Sequence, residues 1–525
     1  MISSLWSTTE SYKRSILALC GICLVFHLMS MREGHNWGGD FSQYILHARN
    51  LVEGKAYADL GYIDVPGNPY NPQAYPPGLP YSLVPIIAAV GVNLWALKIP
   101  VVLYLVIGVW AFGRLLPYWM PRKWALGCTA FLAVSPRLLH FSNNILSDIP
   151  FLSFVIICIW AADRFFARPP DIRSSLTLIL AILAASSFRT VGSILAIAVF
   201  TQALLFRRSH IRHAALVCLG SFAILSVGYT YFHCGATYFK GLSFDLPTLL
   251  GNLERNLWAY RRGLTRFLAL YPSRDEASLI YVLANNPPIA LFLGMAGVGI
   301  VNRVRRRGVT CDHVFAGGYL TVILLYRWNQ SVRYLLPVLP ILIAHAFLGL
   351  RYVSTVVLLR YRERLRGSFR IWFRRSLVPL LPALIYVPLF VAKWGYYSFV
   401  PVSVGANVFQ DPDVIALFDE TRTRAHEIDG VIFNRPRVLH LLTGVRAGVC
   451  YNVPDLRWDG PRLWDLAEAN NISHILIGPH EMALPPIVEA NPDAFVLEYE
   501  NPQYTLYRMG PRNALHEEQH QLAGR

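Results

Sequence analysis

Charged residues are scarce in this chain of 525 residues, because only 15% of them are Asp, Glu, Lys or Arg, while 54% are hydrophobic. A soluble globular protein carries about 25% charged residues. This shortage, together with long apolar runs separated by arginine clusters, excludes an ordinary soluble protein. It predicts a polytopic α-helical membrane protein.

Cysteines are few and scattered, so no disulfide framework is predicted. Most of the eight lie inside apolar runs, where cysteine behaves as a small hydrophobic residue. The pair Cys20 and Cys23 falls in the middle of the first apolar run, which argues against a zinc or redox site at this spacing.

Acidic residues are outnumbered, with 32 Asp and Glu against 48 Lys and Arg, for a net charge of +16. The arginines lie in short loops between apolar runs. That distribution is the positive-inside pattern of membrane proteins rather than a surface for nucleic acid, so no nucleic-acid partner is predicted.

The number of membrane spans depends on the run 79–92, which has about 14 residues against the roughly 20 needed for a span. If it does not cross and the N-terminus is cytoplasmic, every basic cluster lies inside and the C-terminal segment lies outside. If it crosses, the later basic loops face outward. We predict the first topology, with about eleven transmembrane helices and an uncleaved first span. The apolar runs are 15–30, 79–92, 95–116, 124–140, 149–166, 174–187, 190–206, 211–232, 287–303, 312–327, 333–352 and 377–394.

Two segments between spans are predicted to contact membrane lipids. The outer loop 233–286 should contain an interfacial helix, with arginines available to headgroups. The basic loop 351–375 should be a cytoplasmic anchor that contacts anionic lipid. The apolar face of the interfacial helix is predicted to be Leu250, Leu253, Leu257, Tyr260, Leu264 and Phe267.

The composition changes near residue 395, where charges of both signs appear and apolar runs shorten. Alternating short strands and helices predict a small extracytoplasmic α/β domain over 395–510, ending in a hairpin. It lacks G-x-G-x-x-G, P-loop and G-x-S-x-G motifs, so no chemistry is assigned to it. Residues 1–394 form the predicted membrane domain, and 511–525 a disordered tail.

The first outer loop, His35 to Tyr81, contains a carboxylate beside the membrane. Asp40 follows Gly38-Gly39 at the start of a predicted amphipathic helix. The loop returns to the membrane at Tyr75-Pro76-Pro77-Gly78. Ile45, Leu46, Ala48 and Leu51 are expected to be buried, and Gln43, His47, Arg49 and Glu53 to face water or headgroups.

These residues resemble a known family, the GT-C superfamily of membrane glycosyltransferases, in the branch of protein mannosyltransferases and lipid A aminoarabinose transferases. Those enzymes carry an Asp or Asp-Glu in their first outer loop, then a helix, a Gly-containing turn and a Tyr-Pro-Pro stretch. The resemblance covers about residues 1–400 and implies a polyprenyl-phosphate sugar donor. The matching residues are Gly39-Asp40, Tyr44, Ala48, Leu51, Gly54 and Tyr75-Pro76-Pro77.

Two acidic residues are candidates for catalysis. The resemblance makes Asp40 the candidate base for the acceptor hydroxyl; the alternative is a cap for a helix that begins at Phe41. Asp148 matches a second acidic position of the family. It is alternatively an N-cap with Pro150 in the first turn, or it orients the acceptor or an arginine. A lone Asp offers few oxygen ligands, so no metal or other cofactor is predicted.

Four residues at the predicted outer ends of spans are candidates for the donor phosphate. Arg333, Tyr334 and Arg327 lie there against the positive-inside trend, and guanidinium matches phosphate oxygens. Snorkelling to lipid headgroups is the alternative. Arg189 interrupts an apolar stretch, where charge is expensive; its partner is Asp40, Asp148 or the donor, or else it forms a structural ion pair.

The favoured hypothesis is an inverting transferase that moves a sugar from a polyprenyl-phosphate donor to a glycolipid, glycan or protein acceptor at the extracytoplasmic face. A transporter or lipid-linked-sugar flippase is the alternative; it would place charges near the midplane and contain inverted repeats. A non-catalytic scaffold would have no need of Asp40. The polar candidates gather at one face and no repeat is visible, which favours the transferase.

Overall fold

The computed structural model describes residues 9–35, 38–66, 72–234, 245–268, 279–327, 332–360, 378–399, 411–450, 458–479 and 481–511. The chain forms two compact units. The first comprises Met1–Arg32, Tyr75–Ser82 and Ala96–Val400; the second comprises Glu33–Ala74, Leu83–Trp95 and Pro401–Arg525. Residues 361–375 of the predicted basic loop 351–375 and, after Pro511, the predicted tail lie outside the described residues.

Helices dominate the described chain, as the apolar runs predict. The α-helices are α1 (Thr9–Met29), α2 (Gly39–Glu53), α3 (Gly78–Val90), α4 (Ile99–Leu115), α5 (Arg122–Ala133), α6 (Pro136–Ser142), α7 (Asp148–Phe166), α8 (Ile172–Phe188), α9 (Ile194–Phe206), α10 (Ile211–Tyr231), α11 (Leu246–Leu268), α12 (Leu279–Arg307), α13 (Cys311–Leu325), α14 (Val332–Leu335), α15 (Leu339–Arg360), α16 (Leu381–Phe399), α17 (Pro412–Thr423), α18 (Pro436–Thr443), α19 (Gly460–Asn470) and α20 (Pro485–Ala490).

Within the described residues, six helices are long and apolar enough to cross a membrane, and four more are apolar but shorter. The long segments are Thr9–Met29, Ala96–Tyr118, Asp148–Phe166, Arg208–Tyr231, Asn286–Arg307 and Leu339–Val356. The shorter ones are Gly78–Val90, Ile172–Phe188, Thr190–Phe206 and Cys311–Leu325. The chain therefore has the helices of a polytopic membrane protein.

Three apolar runs differ in detail from uninterrupted spans. The run 124–140 is divided into α5 and α6, because Pro136 disfavours helix at the residue before it. Arg189 has an extended backbone (φ −151°, ψ 130°) that separates α8 from the turn leading into α9. The 13 residues of α3 reach only about 20 Å, less than the roughly 30 Å hydrocarbon core of a bilayer.

Two glycines allow α12 and α15 to cross with their backbones in contact. A Cβ atom on Gly299 would lie 1.9 Å from the carbonyl oxygen of His345, and one on Gly349 would lie 1.9 Å from that of Met295. Only glycine fits both positions. The crossing brings Arg303, one turn after Gly299, close to His345, one turn before Gly349.

The described part of the second unit contains a six-stranded sheet in the order β1-β3-β2-β4-β6-β5. Neighbours among β1, β3, β2 and β4 are parallel, while β6 is antiparallel to both β4 and β5. The strands are β1 (Tyr62–Ile63), β2 (Val431–Ile432), β3 (Ala447–Gly448), β4 (His474–Ile477), β5 (Phe495–Glu500) and β6 (Thr505–Met509).

The C-terminal strands and their closing hairpin confirm the α/β pattern of the sequence, but β1 is an addition. This strand comes from the first outer loop and pairs with Ala447 and Gly448. Its Ile63 is 1% exposed and packs in the core formed by the C-terminal elements. Most of the first loop is therefore part of the second unit, whereas its end from Tyr75 belongs to the first.

The glycine crossing gives a stability prediction. Gly299→Ala should destabilise the protein by about 1–3 kcal/mol, the usual range for overpacking, because the new methyl group collides with a helix backbone. The measurement is the midpoint of thermal unfolding of the purified protein in detergent. Gly297→Ala is the matched control: it lies on the same helix with nothing within 4 Å of its Cβ position, and equal midpoints for both variants would contradict the prediction.

Candidate functional site

The first unit holds a buried carboxylate between two arginines. Asp148, the first residue of α7, is fully buried. Arg189 Nη2 lies 3.1 Å from its Oδ1, and Arg333 Nε lies 2.7 Å from its Oδ2. Arg189 Nε also donates to Ser147 Oγ at 3.3 Å. Three segments that are distant in sequence thus converge on one side chain.

The Asp148 cluster contains two guanidinium groups and one carboxylate. Removing one partner from a buried pair leaves an uncompensated charge, which is costly. The N-cap of α7 is Ser147 and not Asp148, so the capping alternative for Asp148 is wrong.

The other two candidates for binding the donor phosphate, Tyr334 and Arg327, differ in how buried their side chains are. The Tyr334 ring is buried, with its centroid 5.4 Å from Arg189 Cζ, a cation–π contact that holds the guanidinium in place. Arg327 is exposed, and its carbonyl oxygen accepts a hydrogen bond from Arg255 Nη2 at 2.6 Å. The structure therefore brings Tyr334 to the Asp148 cluster, whereas the side chain of Arg327 is at the surface.

The helix α11 fixes the chain segment that leads to Arg333. Asn256 Nδ2 donates to the carbonyl oxygens of Leu324 and Tyr326 at 2.9 and 2.7 Å, where the last turn of α13 leaves carbonyls without helical partners. A Cβ atom on Gly263 would lie 2.9 Å from the backbone nitrogen of Val332. Close packing at Gly263 therefore positions the residue immediately before Arg333.

The helix predicted within the loop 233–286 is present as α11. Tyr260, Leu264 and Phe267 of its predicted apolar face are buried, whereas Leu250 and Leu257 are more than half exposed. Asn252 and Asn256, which are not part of that face, are buried. The asparagines face inward because they bind the backbone carbonyls at the end of α13. The helical pattern predicts burial from side-chain polarity alone. It therefore does not predict a buried asparagine that donates hydrogen bonds to backbone carbonyls.

The Tyr-Pro-Pro-Gly turn lies beside Arg189. A Cβ atom on Gly78 would be 2.7 Å from the carbonyl oxygen of Ser187, so only glycine allows this approach. The turn at the end of the first outer loop thus packs against the residues that precede Arg189. The Tyr-Pro-Pro-Gly turn and the segment before Arg189 are distant in the sequence, but they pack against each other.

The second unit contains Asp40, in the first turn of α2. The N-cap of this helix is Gly38, so the alternative that Asp40 caps the helix is wrong. Its side chain is 28% exposed, with Oδ1 3.8 Å from Arg437 Nη1. Arg437 Nη1 donates to Gln43 Oε1 at 2.5 Å. The Asp40 carboxylate is therefore held close to a guanidinium group and is accessible from solvent.

Gln43 and His47 are fully buried, so the expectation that they face water or headgroups is wrong. His47 Nδ1 donates to the carbonyl oxygen of Tyr57 at 2.7 Å, and its ring stacks on that of Tyr57 at 4.3 Å. Gln43 Nε2 donates to the carbonyl oxygen of Gln73 at 2.6 Å and approaches His47 Nε2 at 3.3 Å. This network fixes the Gln43 amide, whose oxygen accepts the hydrogen bond from Arg437.

Burial lowers the pKa of His47 to about 4; the hydrogen bond to Tyr57 opposes this shift and the charge of Arg437 adds to it. The ring is therefore uncharged at neutral pH, with the proton on Nδ1 and a lone pair on Nε2 for Gln43. Arg437 is not predicted from the sequence, because no motif in the C-terminal segment connects it to the first loop.

A group of side chains in the first unit could hold a metal by composition. Ligand atoms of Asp312, His313 and His345 lie within 4.8 Å of one another. However, His313 Nδ1 accepts from the backbone N–H of Thr310 at 3.2 Å, which puts the proton of a neutral ring on Nε2. That proton points to His345 Nε2 at 3.2 Å. The two histidine nitrogens are therefore joined by a hydrogen bond, and they do not both offer a lone pair to a metal ion.

No protein family and no curated protein sequence matches this chain. Solved structures do match its fold. ArnT from Cupriavidus metallidurans, bound to undecaprenyl phosphate, gives a TM-score of 0.52 at 14% identity, covering 95% of this chain and 99% of that one. The oligosaccharyltransferase AglB from Archaeoglobus fulgidus, in complex with an inhibitory peptide and a dolichol-phosphate, gives 0.54 at 15% identity, covering 88% and 69%. Its complex with zinc and sulfate gives 0.55 at 15% identity, covering 94% and 74%.

The buried imidazole gives a pH prediction. Above its ordinary pKa of 6.5, His47 is uncharged in both the folded and unfolded chain, and its full contribution to stability is present. As the pH falls from 6.5 towards about 4, the unfolded chain takes up a proton that the folded chain rejects. The free energy of unfolding should therefore decrease, by about 3 kcal/mol at most.

The measurement compares the thermal unfolding midpoints of the wild type and His47→Asn between pH 7 and pH 4.5. The advantage of the wild type should shrink as the pH falls. His426→Asn, at a histidine whose side chain is 75% exposed, should follow the wild-type curve. A difference between wild type and His47→Asn that does not depend on pH would contradict the assignment of a buried neutral ring.

Proposed function

We propose that this integral membrane protein, which has a GT-C-like fold, is a glycosyltransferase that uses a polyprenyl-phosphate-linked sugar donor. The acceptor is a lipid, glycan or protein hydroxyl at the extracytoplasmic face, and the sugar is transferred with inversion. The Asp148 cluster is the observation that carries this proposal, because it brings together two guanidinium groups, which match phosphate oxygens well. Polyprenyl phosphates in two of the matching structures support the choice of donor.

The proposed reaction is a single displacement at the anomeric carbon. Asp40 takes the proton of the acceptor hydroxyl as the oxygen forms its bond to this carbon. The bond between the carbon and the phosphate oxygen breaks, and its electron pair leaves with the phosphate. Arg333 and Arg189 stabilise the charge that develops on the leaving group. Asp148 keeps the two guanidinium groups in place, a positioning role that fits its complete burial.

We further propose that about eleven segments span the membrane, with α3 lying in the interface. The N-terminus and the basic loops are then cytoplasmic, following the positive-inside rule. The Asp148 cluster and the C-terminal α/β domain are extracytoplasmic in this topology. In a bacterium the location would be the inner membrane, with a role in cell-envelope glycosylation.

The donor site gives the first test of this proposal. Arg333→Ala should weaken donor binding by about 1.5–3 kcal/mol, the scale of a lost hydrogen bond to a charged group. Arg333→Lys should restore binding only in part, because an ammonium group does not reproduce the planar, forked contact. The measurement is the affinity of the purified protein for labelled polyprenyl-phosphate sugars.

Arg262→Ala is the matched control for Arg333, because Arg262 is an exposed arginine on α11. It should bind the donor as the wild type does. The unfolding midpoint of each variant separates a loss of binding from a loss of fold. Unchanged donor affinity in a folded Arg333→Ala protein would show that this arginine pairs with Asp148 without binding the donor.

The proposed base gives the second test. Asp40→Asn keeps the shape of the side chain but removes its basicity, so turnover should fall by about two to four orders of magnitude. Expression, membrane insertion and the unfolding midpoint should stay the same. Sugar transfer is measured in membranes that contain matched amounts of each protein.

Asp64→Asn is the matched control for Asp40, since Asp64 is an exposed carboxylate of the same loop. It should transfer sugar at the wild-type rate. Near-wild-type turnover by Asp40→Asn would remove Asp40 from the role of base. If neither variant changes turnover while Arg333→Ala weakens donor binding as predicted, the proposed donor site stands and the base must be sought elsewhere.

A further inference from the structure

A cavity of about 370 Å³ lies in the first unit, at the end of α7 away from Asp148. Helix α7 connects the Asp148 cluster to this cavity. Asp163, fifteen residues after Asp148 on the helix, contacts Trp119 and Arg303 of the cavity wall. Fifteen residues of α-helix correspond to about 22 Å. The cavity is therefore separate from the Asp148 cluster. Its lining comprises residues 117–121, Asn302, Arg303, Arg306, Arg307, Leu348 and Arg351.

One of the lining arginines is buried with nitrogen atoms that lack acceptors. Arg303 is 5% exposed, and its guanidinium stacks 3.7 Å above the ring of Trp119. Its Nη2 lies 3.2 Å from Asp312 Oδ1, but neither Nε nor Nη1 has a hydrogen-bond partner. A buried donor without an acceptor is costly, which indicates that this arginine serves something beyond the ion pair.

Arginines supply the charge of the cavity wall. Four arginines line it, and none of its described lining residues is acidic. Asp312 and, at 3.9 Å, Asp163 lie beside Arg303, but neither belongs to the lining. A phosphomonoester carries a charge of about −1.5 to −2 at neutral pH, which suits a wall whose charged lining residues are all arginines.

The cavity lining also includes apolar residues. Trp119, Met120 and Leu348 line it together with two prolines. A cavity lined by both cations and apolar groups suits a charged headgroup attached to a hydrocarbon chain. Arg306 and Arg307 are exposed at the last turn of α12, where a helix end favours cations and leaves them accessible to a ligand.

We propose that this cavity is a second anion site, which binds a phosphomonoester at the end of the bundle opposite the Asp148 cluster. Arg306, Arg307 and Arg351 contact the phosphate oxygens directly, as guanidinium groups favour. Arg303 forms the floor of the site. The phosphomonoester belongs either to a membrane lipid or to a small soluble ligand, and both sources share this chemistry.

The test measures binding of short-chain phosphatidic acid to the full-length protein by native mass spectrometry. Arg306→Gln and Arg351→Gln should each weaken binding at least about tenfold, the scale of one lost charged contact. Arg305→Gln is the matched control, because Arg305 is exposed on the same helix turn but does not line the cavity. It removes the same charge, so contributions from every other phosphate site cancel in the comparison.

Phosphatidylglycerol is the second control, because it is anionic but a phosphodiester, and it should bind at least about tenfold more weakly than phosphatidic acid. Competition by millimolar inorganic phosphate would assign the site to a soluble phosphomonoester; binding that resists such competition would assign it to a lipid. The proposal is overturned if Arg305→Gln loses as much affinity as Arg306→Gln. It is also overturned if phosphatidylglycerol binds as tightly as phosphatidic acid, since both results describe general attraction between a basic surface and anionic lipid.

Discussion

Charge that is buried in an apolar helix bundle must be paired, and this constraint organises the first unit. The helix α7 carries Asp148 in its first turn and Asp163 in its last. Arg189 and Arg333 approach the first carboxylate from two other segments, and Arg303 approaches the second. Because an isolated buried carboxylate is prohibitively costly, these pairings select the arrangement of the helices around α7.

The glycines complement these ion pairs. At Gly78, Gly263 and Gly299, the absence of a side chain lets one segment touch the backbone of another. Each contact lies within a few residues of an arginine that pairs with a buried carboxylate. Close backbone packing restricts the helices to one relative position, and that position is the one in which the guanidinium groups reach their partners. Packing and electrostatics therefore support the same geometry.

The sequence predicts which arginines are functional candidates, but only part of how they pair. Arg189 and Arg333 are recognisable because arginine is out of place where they lie, and Asp148 is one of the partners that the sequence offers for Arg189. That Asp148 also binds Arg333 depends on how distant segments pack, which no local pattern encodes. The fold class follows from composition, because long apolar runs leave few alternatives to a helical membrane protein.

Other features require contacts that are distant in the sequence. His47 looks like a solvated residue, since helical spacing assigns it to a polar face; its burial depends on Tyr57 and on a sheet that the first loop joins. Arg437 lies in a segment without a motif. It becomes relevant only when α18 packs beside α2, so neither its own neighbours nor its residue type could have identified it.

The strand β1 also has a consequence for the order of biosynthesis. The first loop, which contains β1 and Gln43, leaves the ribosome early. Arg437, the hydrogen-bond partner of Gln43, follows 394 residues later. The loop therefore has to wait, without its sheet, while all of the predicted spans are made and inserted. Its polar, proline-rich sequence and short strand are suited to that delay, because they offer little exposed edge for premature pairing with another chain. A truncation before β3 would leave this loop permanently without its folded partner.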